Sequence, residues 1–294
     1  MKTTDATYQG RRYCTETFND LYEFMEVITT RPDNKHTKKI GYRSSDIESD
    51  RRTYWTGTAS WDESIHLMNG GYTEGLRMIE SVPNIKRDPK PRRRIFADVV
   101  GVTPHIPNVV MDIDPRDMWN IKRIPQPSAE VNLYYDVCAA CDAKADRIAR
   151  AARILLDTIS AIEMAGTKVN LYVMFSVMDK NNNESCQFII NLKKASQQLN
   201  PLMMAYPLVH PSFLRRQAFR WEETTPIISY LSTVKKGYCS SCSNSRQRER
   251  LIGAKVLTDQ DYYVRSENLV NYDSVDDLVA EFNKQSELKT ARAI

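Results

Sequence analysis

In the segment VNLYYDVCAAC, an apolar run ends at an aspartate, and two cysteines follow it. Asp136 comes directly after VNLYY, and Cys138 and Ala140 lie two and four residues further on. A carboxylate at the end of a buried strand binds a divalent cation when neighbouring side chains supply more oxygen ligands. A thiol and a methyl group supply none, so the pattern does not predict a magnesium or calcium site. We expect Asp136 to cap the next helix or to pair with Lys144 or Arg147; a ligand-binding role is the alternative.

Two CxxC pairs, Cys138/Cys141 and Cys239/Cys242, could together supply four thiolate ligands for zinc. Zinc sites of this kind usually take both pairs from one short region, whereas these pairs are far apart in the chain. The polar and cationic stretch KKGYCSSCSNSRQRER makes the second pair the better candidate, because nearby cations favour thiolates. We expect buried or idle thiols, with zinc binding at Cys239 and Cys242 as the alternative.

Other catalytic patterns are absent from the sequence. The four histidines show no HxxxH or HxH spacing, and the chain has no HExxH helix, Gly-rich phosphate loop or nucleophile elbow. Paired carboxylates such as Asp112 and Asp114 lie beside prolines, where solvated side chains are the usual outcome. We therefore expect a protein that is not an enzyme and has no cofactor.

One basic cluster stands out in the sequence KRDPKPRRR. Six of its nine residues are cations. They are Lys86, Arg87, Lys90, Arg92, Arg93 and Arg94. Pro89 and Pro91 favour an extended chain that presents these charges to solvent, and each phosphate neutralised by such a charge adds affinity through counterion release. The cluster predicts polyanion binding; a solvated linker without a partner is the alternative.

A second basic segment, HPSFLRRQAFRWEE, alternates cations with aromatic rings. Arg215, Arg216 and Arg220 lie among Phe219 and Trp221. Proteins that bind single strands combine cations for the backbone with rings on which bases stack, at about 1–3 kcal/mol per base. We expect these five residues to form a nucleic-acid-binding surface. The alternative is that the apolar residues belong to the core and only the arginines face solvent.

The composition fits a folded soluble protein of one or two domains. The 294 residues are 41% hydrophobic, the net charge is +4, and no apolar run approaches the length of a membrane span. The N-terminal residues lack the apolar centre of a secretory signal. We therefore expect reduced thiols, a cytoplasmic location and no contact with a membrane.

Hydrophobic periodicity predicts three regions. Residues 1–85 are expected to be a smaller helical region with a polar loop. It includes a helix in TETFNDLYEFMEVI and a helix pair that begins at Ser60 and turns at Gly70-Gly71. Residues 86–128 are expected to be a basic, Pro-rich connector. Residues 129–294 are expected to be a three-layer α/β domain, opened by a strand–helix–strand unit in AEVNLYYDV to KVNLYVMFSV and closed by a C-terminal helix.

The strand that ends at Asp136 and the helix after it resemble the start of von Willebrand factor A-type domains. That family places Asp-x-Ser-x-Ser at this point and binds a divalent cation there. The matching residues here are Asp136, Cys138 and Ala140, so the resemblance implies a degenerate von Willebrand factor A-like, Rossmann-like fold without the cation site.

Three further stretches, SWDESIHLMNGGYTEG, DVVGVTPHIPNVVMDIDPRDMW and LVHPSFLRRQAFRWEE, resemble a family of early proteins of tailed phages of the schitovirus group. That resemblance implies an accessory protein that binds single-stranded DNA and brings the phage RNA polymerase to its promoters. The expected partners are then single-stranded DNA and the phage RNA polymerase, in the host cytoplasm. The alternative is a von Willebrand-like adaptor, in virion assembly or with an ATPase, that binds only proteins.

Overall fold

The computed structural model describes residues 1–40, 45, 53–81, 97–98, 103–104, 119–120, 130–138, 144–164, 166–179, 184–227 and 244–292. The chain divides into two compact units. The first combines Met1–Ile85 with Glu130–Ile294, and the second is Lys86–Ala129.

The strands are numbered in chain order. They are β1 (Lys2–Tyr8), β2 (Arg11–Phe18), β3 (Ala97–Asp98), β4 (Thr103–Pro104), β5 (Trp119–Asn120), β6 (Glu130–Asp136), β7 (Lys168–Asp179), β8 (Glu184–Lys193) and β9 (Tyr262–Arg265). In the second unit, the short strands pair antiparallel in the order β3-β5-β4.

The helices are likewise numbered in chain order. They are α1 (Leu21–Thr30), α2 (Lys35–Ile40), α3 (Thr53–Thr56), α4 (Trp61–Gly70), α5 (Thr73–Ser81), α6 (Ala145–Met164), α7 (Pro201–Val209), α8 (Phe219–Thr224), α9 (Asn244–Gly253), α10 (Ser266–Leu269) and α11 (Val275–Arg292). A π-helix, Phe213–Ala218, runs directly into α8.

The first unit is built on one mixed sheet with the strand order β1-β2-β8-β7-β6-β9. Parallel pairing joins β2 to β8 and joins β6 to both β7 and β9. Antiparallel pairing joins β1 to β2 and β7 to β8. The expected α/β class is therefore confirmed.

The strand–helix–strand unit forms as its sequence predicts. Strands β6 and β7 are parallel neighbours, and α6 connects them. Gly166, just past α6, has a φ of 97°, a left-handed conformation that glycine adopts without steric cost. Along β6, Leu133 and Tyr135 join the main core on one sheet face, and Tyr134 joins a smaller cluster that also contains Leu251 of α9. Central strand β6 is thus covered on both faces.

The helix pair α4–α5 is also confirmed. Ser60 Oγ accepts from the backbone N–H of Glu63 at 3.0 Å, and the Glu63 carboxylate accepts from Ala59 N–H at 2.5 Å. The first bond satisfies an N–H group that the first turn leaves free, and the second ties Glu63 to the residue before the cap. Gly71, with a φ of 84°, ends α4 at the predicted corner.

The prediction of a separate helical N-terminal region is wrong for residues 2–18. These residues form a hairpin, turned at Gln9 and Gly10, and β2 lies beside β8 inside the sheet. These residues form a strand rather than a helix because the middle of RRYCTETF is buried on both faces, as an internal strand requires. The first helix begins only at Leu21, where the Asp20 carboxylate accepts from Glu23 N–H at 2.8 Å.

Candidate functional site

Asp136 lies at the carboxyl end of β6 and is 1% exposed. Its Oδ1 accepts from Cys138 N–H at 3.0 Å, and its Oδ2 accepts from the Tyr263 hydroxyl at 2.8 Å. The Arg265 Nε lies 4.0 Å from Oδ2. Both partners come from β9, whose parallel register places Arg265 directly beside Asp136. A guanidinium therefore supplies the positive charge that a cation would otherwise bring to this carboxylate.

This arrangement corrects one sequence prediction. Lys144 and Arg147, the expected partners of Asp136, are exposed; Lys144 directly precedes α6 and Arg147 is in its first turn. Its side-chain partners, Tyr263 and Arg265, are more than a hundred positions away in the chain, in a strand that only the sheet topology brings alongside. Cys138, by contrast, is the small buried residue that its sequence context predicts, with Sγ 3.7 Å from the carbonyl oxygen of Ser176.

The charge network continues past Arg265 towards the surface. Its Nη2 lies 3.2 Å from the Glu267 carboxylate, and Glu267 N–H donates to the Cys138 carbonyl at 3.1 Å. Burial, together with the nearby Asp136 carboxylate, raises the pKa of Tyr263 well above its usual value, so its hydroxyl remains a hydrogen-bond donor. Across the described ranges, no three His, Cys, Asp or Glu side chains converge on a position that could hold a metal ion. Cys141, Cys239 and Cys242 lie outside those ranges.

A cleft opens beside this strand end. It has an empty volume of about 440 Å³, part of it open to solvent, and its lining is mostly apolar. Its walls include Tyr135, Val137, Ile148, Leu208, His210, Phe213 and Arg215. In open α/β sheets, the crevice at the carboxyl ends of the strands is the usual place for a ligand.

His210 closes one wall of the cleft as a neutral ring. Its Nδ1 accepts from Ser212 N–H at 3.1 Å. The ring stacks on Tyr206 with centroids 5.1 Å apart, and Tyr72 approaches it edge-on at 4.7 Å. Burial lowers the pKa of His210 to about 4, an effect that the charge of Glu63 partly opposes.

Among the predicted nucleic-acid-binding residues that the structure describes, Arg215 is partly exposed and lines this cleft. Its guanidinium carbon lies 3.9 Å from the centroid of the Trp55 ring, and its Nη1 donates to the Trp55 carbonyl oxygen. Trp55 was missed by the sequence analysis. The available indication in the sequence was an aromatic residue at the end of a long polar segment. Trp55 lies 160 positions before Arg215, so the sequence does not connect the two residues.

The other four residues of the second basic segment are buried, so the prediction that they form an exposed stacking surface is wrong. Arg216 and Trp221 are 0% exposed, Phe219 is 3% exposed, and Arg220 is 7% exposed. Arg216 donates to the hydroxyl and carbonyl oxygens of Thr58 at 2.8 and 2.9 Å. Its guanidinium thus fastens the π-helix to the segment that precedes α4.

Arg220 and Trp221 fasten the N-terminal elements in a similar way. Arg220 Nη1 donates to Asp33 Oδ1 at 2.6 Å, and Trp221 Nε1 donates to Glu16 Oε2 at 2.7 Å. Glu16 also pairs with Arg31 at 3.0 Å. These cations and rings are satisfied inside the protein, and their role is structural.

Two exposed cations lie at the start of α6, the helix whose Ile148 lines the cleft: Lys144 directly precedes the helix, and Arg147 is in its first turn. Asp146 is exposed on the same turn. The cluster Lys86, Arg87, Lys90, Arg92, Arg93 and Arg94 lies outside the described residues. In the part of the chain that is described, no helix has the length and apolar character to cross a membrane.

Comparison with known proteins identifies a family but no activity. No curated protein and no solved structure matches the chain. Residues 3–290 match the model of a domain of unknown function, DUF7192. Since that match covers nearly the whole chain, the protein belongs to the DUF7192 family.

Proposed function

We propose that this protein is a non-enzymatic phage protein that binds single-stranded DNA without sequence specificity in the host cytoplasm. By holding the strand, it recruits or assists the phage RNA polymerase. The observation that carries the proposal is the cluster of six cations within nine residues, Lys86–Arg94. Such a density of positive charge, spaced by prolines, suits a flexible polyanion.

The charges at the strand end support the same proposal. One acidic residue at this edge, Asp136, is buried and paired with Arg265, which weakens its repulsion of phosphates. The partly exposed Arg215 lines the cleft, and the exposed cations Lys144 and Arg147 lie at the start of α6, which contributes Ile148 to the cleft. They would give the DNA backbone a second set of contacts, with Arg215 held in place by the Trp55 ring.

The finer fold assignment is part of the proposal. We infer a degenerate von Willebrand factor A-like domain, in which Asp136 keeps its strand-end position while Arg265 takes over the role of the cation. Two observations support it: Asp136 ends the strand that opens the β6–α6–β7 crossover, and that strand has parallel neighbours on both sides. In such a domain the usual adhesion-type ligand binding, which needs the cation, is not expected.

A protein-interaction adaptor is the second candidate, and the apolar cleft favours it. A cleft lined by Val137, Ile148 and Phe213 suits an apolar side chain of a protein partner better than a phosphate. Ile148→Asn separates the two candidates, because it makes the cleft polar without changing its charge. Under the adaptor candidate this variant loses its protein partner; under the DNA proposal its affinity for oligonucleotides stays within about twofold of the wild type.

The direct test is fluorescence anisotropy with labelled oligonucleotides of several unrelated sequences. We expect similar affinities for every single strand at low salt, weaker binding to the matching duplexes, and steep loss of binding as salt rises. Absence of binding to any single strand at low ionic strength would overturn the proposal and leave the adaptor as the remaining candidate.

A further inference from the structure

Two cysteines that the proposed function does not use lie side by side in the sheet. Cys14 of β2 and Cys186 of β8 are direct partners in the parallel register of these strands. Both thiols are buried and neither is in a disulfide; Cys14 Sγ donates to Asp5 Oδ1 at 3.7 Å, and Cys186 Sγ donates to the Ile227 carbonyl oxygen at 3.8 Å. Neighbouring strands are about 4.8 Å apart. Disulfides bridge Cα atoms separated by about 4.4–6.8 Å, so this pair can be joined without moving either strand far.

We propose that Cys14 and Cys186 form a dithiol site that low-molecular-weight disulfides, such as oxidised glutathione, convert into a cross-strand disulfide. The bond would tie the N-terminal hairpin Lys2–Phe18 covalently to the middle of the sheet.

The surroundings give the two thiols different roles. The adjacent Cys186 thiol and the positive charge of Arg12 lower the pKa of Cys14, against the effects of burial and of the Asp5 carboxylate. The adjacent Cys14 thiol and burial raise the pKa of Cys186. The thiolate is the form that attacks a disulfide, which makes Cys14 the attacking thiol and Cys186 the resolving one.

The reaction balances in two exchange steps. Cys14 loses its proton and attacks one sulfur of the reagent; the reagent's S–S bond breaks, a mixed disulfide forms, and one thiolate leaves and is protonated. Cys186 then loses its proton and attacks the Cys14 sulfur, which releases the second reagent thiol. Two protein thiols are oxidised to one disulfide, and one reagent disulfide is reduced to two thiols.

Access to Cys14 is through the edge of the sheet. Cys14 is 2% exposed, but its Sγ lies 3.7 Å from the carboxylate of Asp5, whose ion pair with Arg12 is about half exposed. Strand β1 is the sheet edge, and its residues are mostly exposed. Local opening of such an edge needs far less free energy than global unfolding, so the reaction is expected to be slow but to proceed in the folded protein.

The test uses the whole protein and oxidised glutathione. After incubation, free thiols are blocked with an alkylating reagent, and tryptic peptides are analysed without reduction. We expect peptide 13–35 linked to peptide 181–193 with the loss of two hydrogens. In Cys186→Ser the reaction should stop at a glutathione adduct on Cys14, whereas Cys14→Ser should leave Cys186 alkylated.

A second measurement does not depend on variants. Because the bond closes a loop of more than 170 residues, the oxidised protein should melt about 5–10 °C higher than the reduced protein, and a reducing agent should reverse the shift. The proposal fails if both thiols are recovered alkylated, with no linked peptide and no change in Tm, after treatment that oxidises a free dithiol control completely.

Discussion

The indole N–H of Trp221 donates to the Glu16 carboxylate at 2.7 Å, and both side chains are at most 1% exposed. This bond joins α8 to strand β2 across 205 positions of the chain. Replacement Trp221→Phe keeps an aromatic ring but leaves one oxygen of a buried carboxylate without this donor. We expect a loss of about 1–3 kcal/mol in the free energy of unfolding, measured by urea denaturation.

A double-mutant cycle with Glu16→Leu, which has no acceptor for the indole N–H, measures the coupling through that bond. The coupling energy between the two positions should be at least about 0.5 kcal/mol, and oligonucleotide affinity should stay unchanged in each folded variant, because Trp221 is not a stacking surface. Zero coupling, or DNA binding that falls with Trp221→Phe alone, would contradict the structural role assigned here.

The pair of Asp136 and Arg265 gives a second prediction. Arg265→Met removes the compensating charge and leaves a carboxylate buried in the sheet, at an expected cost of about 3–5 kcal/mol of stability. Adding Asp136→Asn removes the uncompensated charge and keeps a group that can accept from Tyr263, so the double variant should recover a large part of that loss. Chemical denaturation of the four proteins checks this, and a double variant no more stable than Arg265→Met would contradict it.

His210 predicts how stability depends on pH. Its pKa in the folded protein is about 4, below the ordinary value of 6.5, so the unfolded chain binds more protons between these values. The stability that comes from keeping the ring neutral is complete above about pH 6.5 and is lost as the pH falls towards 4. The shift corresponds to roughly 3 kcal/mol.

The variant His210→Asn removes this titration and keeps an oxygen that can accept from Ser212 N–H. Its stability should therefore fall less than that of the wild type between pH 7 and pH 5, as followed by thermal or urea unfolding. Parallel pH curves for the two proteins would show that His210 does not carry this dependence.

Local patterns predicted much of the scaffold. The α4–α5 pair and the β6–α6–β7 unit were recognised because capping residues, glycine positions and periodicity all lie within each element. The hairpin at residues 2–18 was not, since β2 is buried on both faces and its polar residues resemble a helix start. Its turn, Gln9-Gly10, was the available signal.

The candidate site was harder to predict, because its charges are satisfied over long distances in the sequence. The sequence shows that Arg216 and Arg220 are basic, but it does not show that they bind Thr58 and Asp33 in the folded protein. The sequence likewise does not show that Arg265 pairs with Asp136. Arg265 lies beside Asp136 because β9 is the neighbour of β6 in the sheet, although the two residues are far apart in the chain. An Arg-rich and aromatic segment can therefore be core, and only the tertiary contacts decide.

The salt dependence of single-strand binding tests the central claim most directly. For each phosphate contact, the slope of log affinity against log salt changes by about 0.7. The triple variant Arg92→Ala, Arg93→Ala and Arg94→Ala should therefore bind every sequence more weakly, with a slope about 2 smaller than that of the wild type. The control Lys38→Ala, Lys39→Ala removes two exposed cations of α2 and should leave the slope unchanged. If the triple variant and the control both keep the wild-type slope, the cluster at residues 86–94 does not bind the strand.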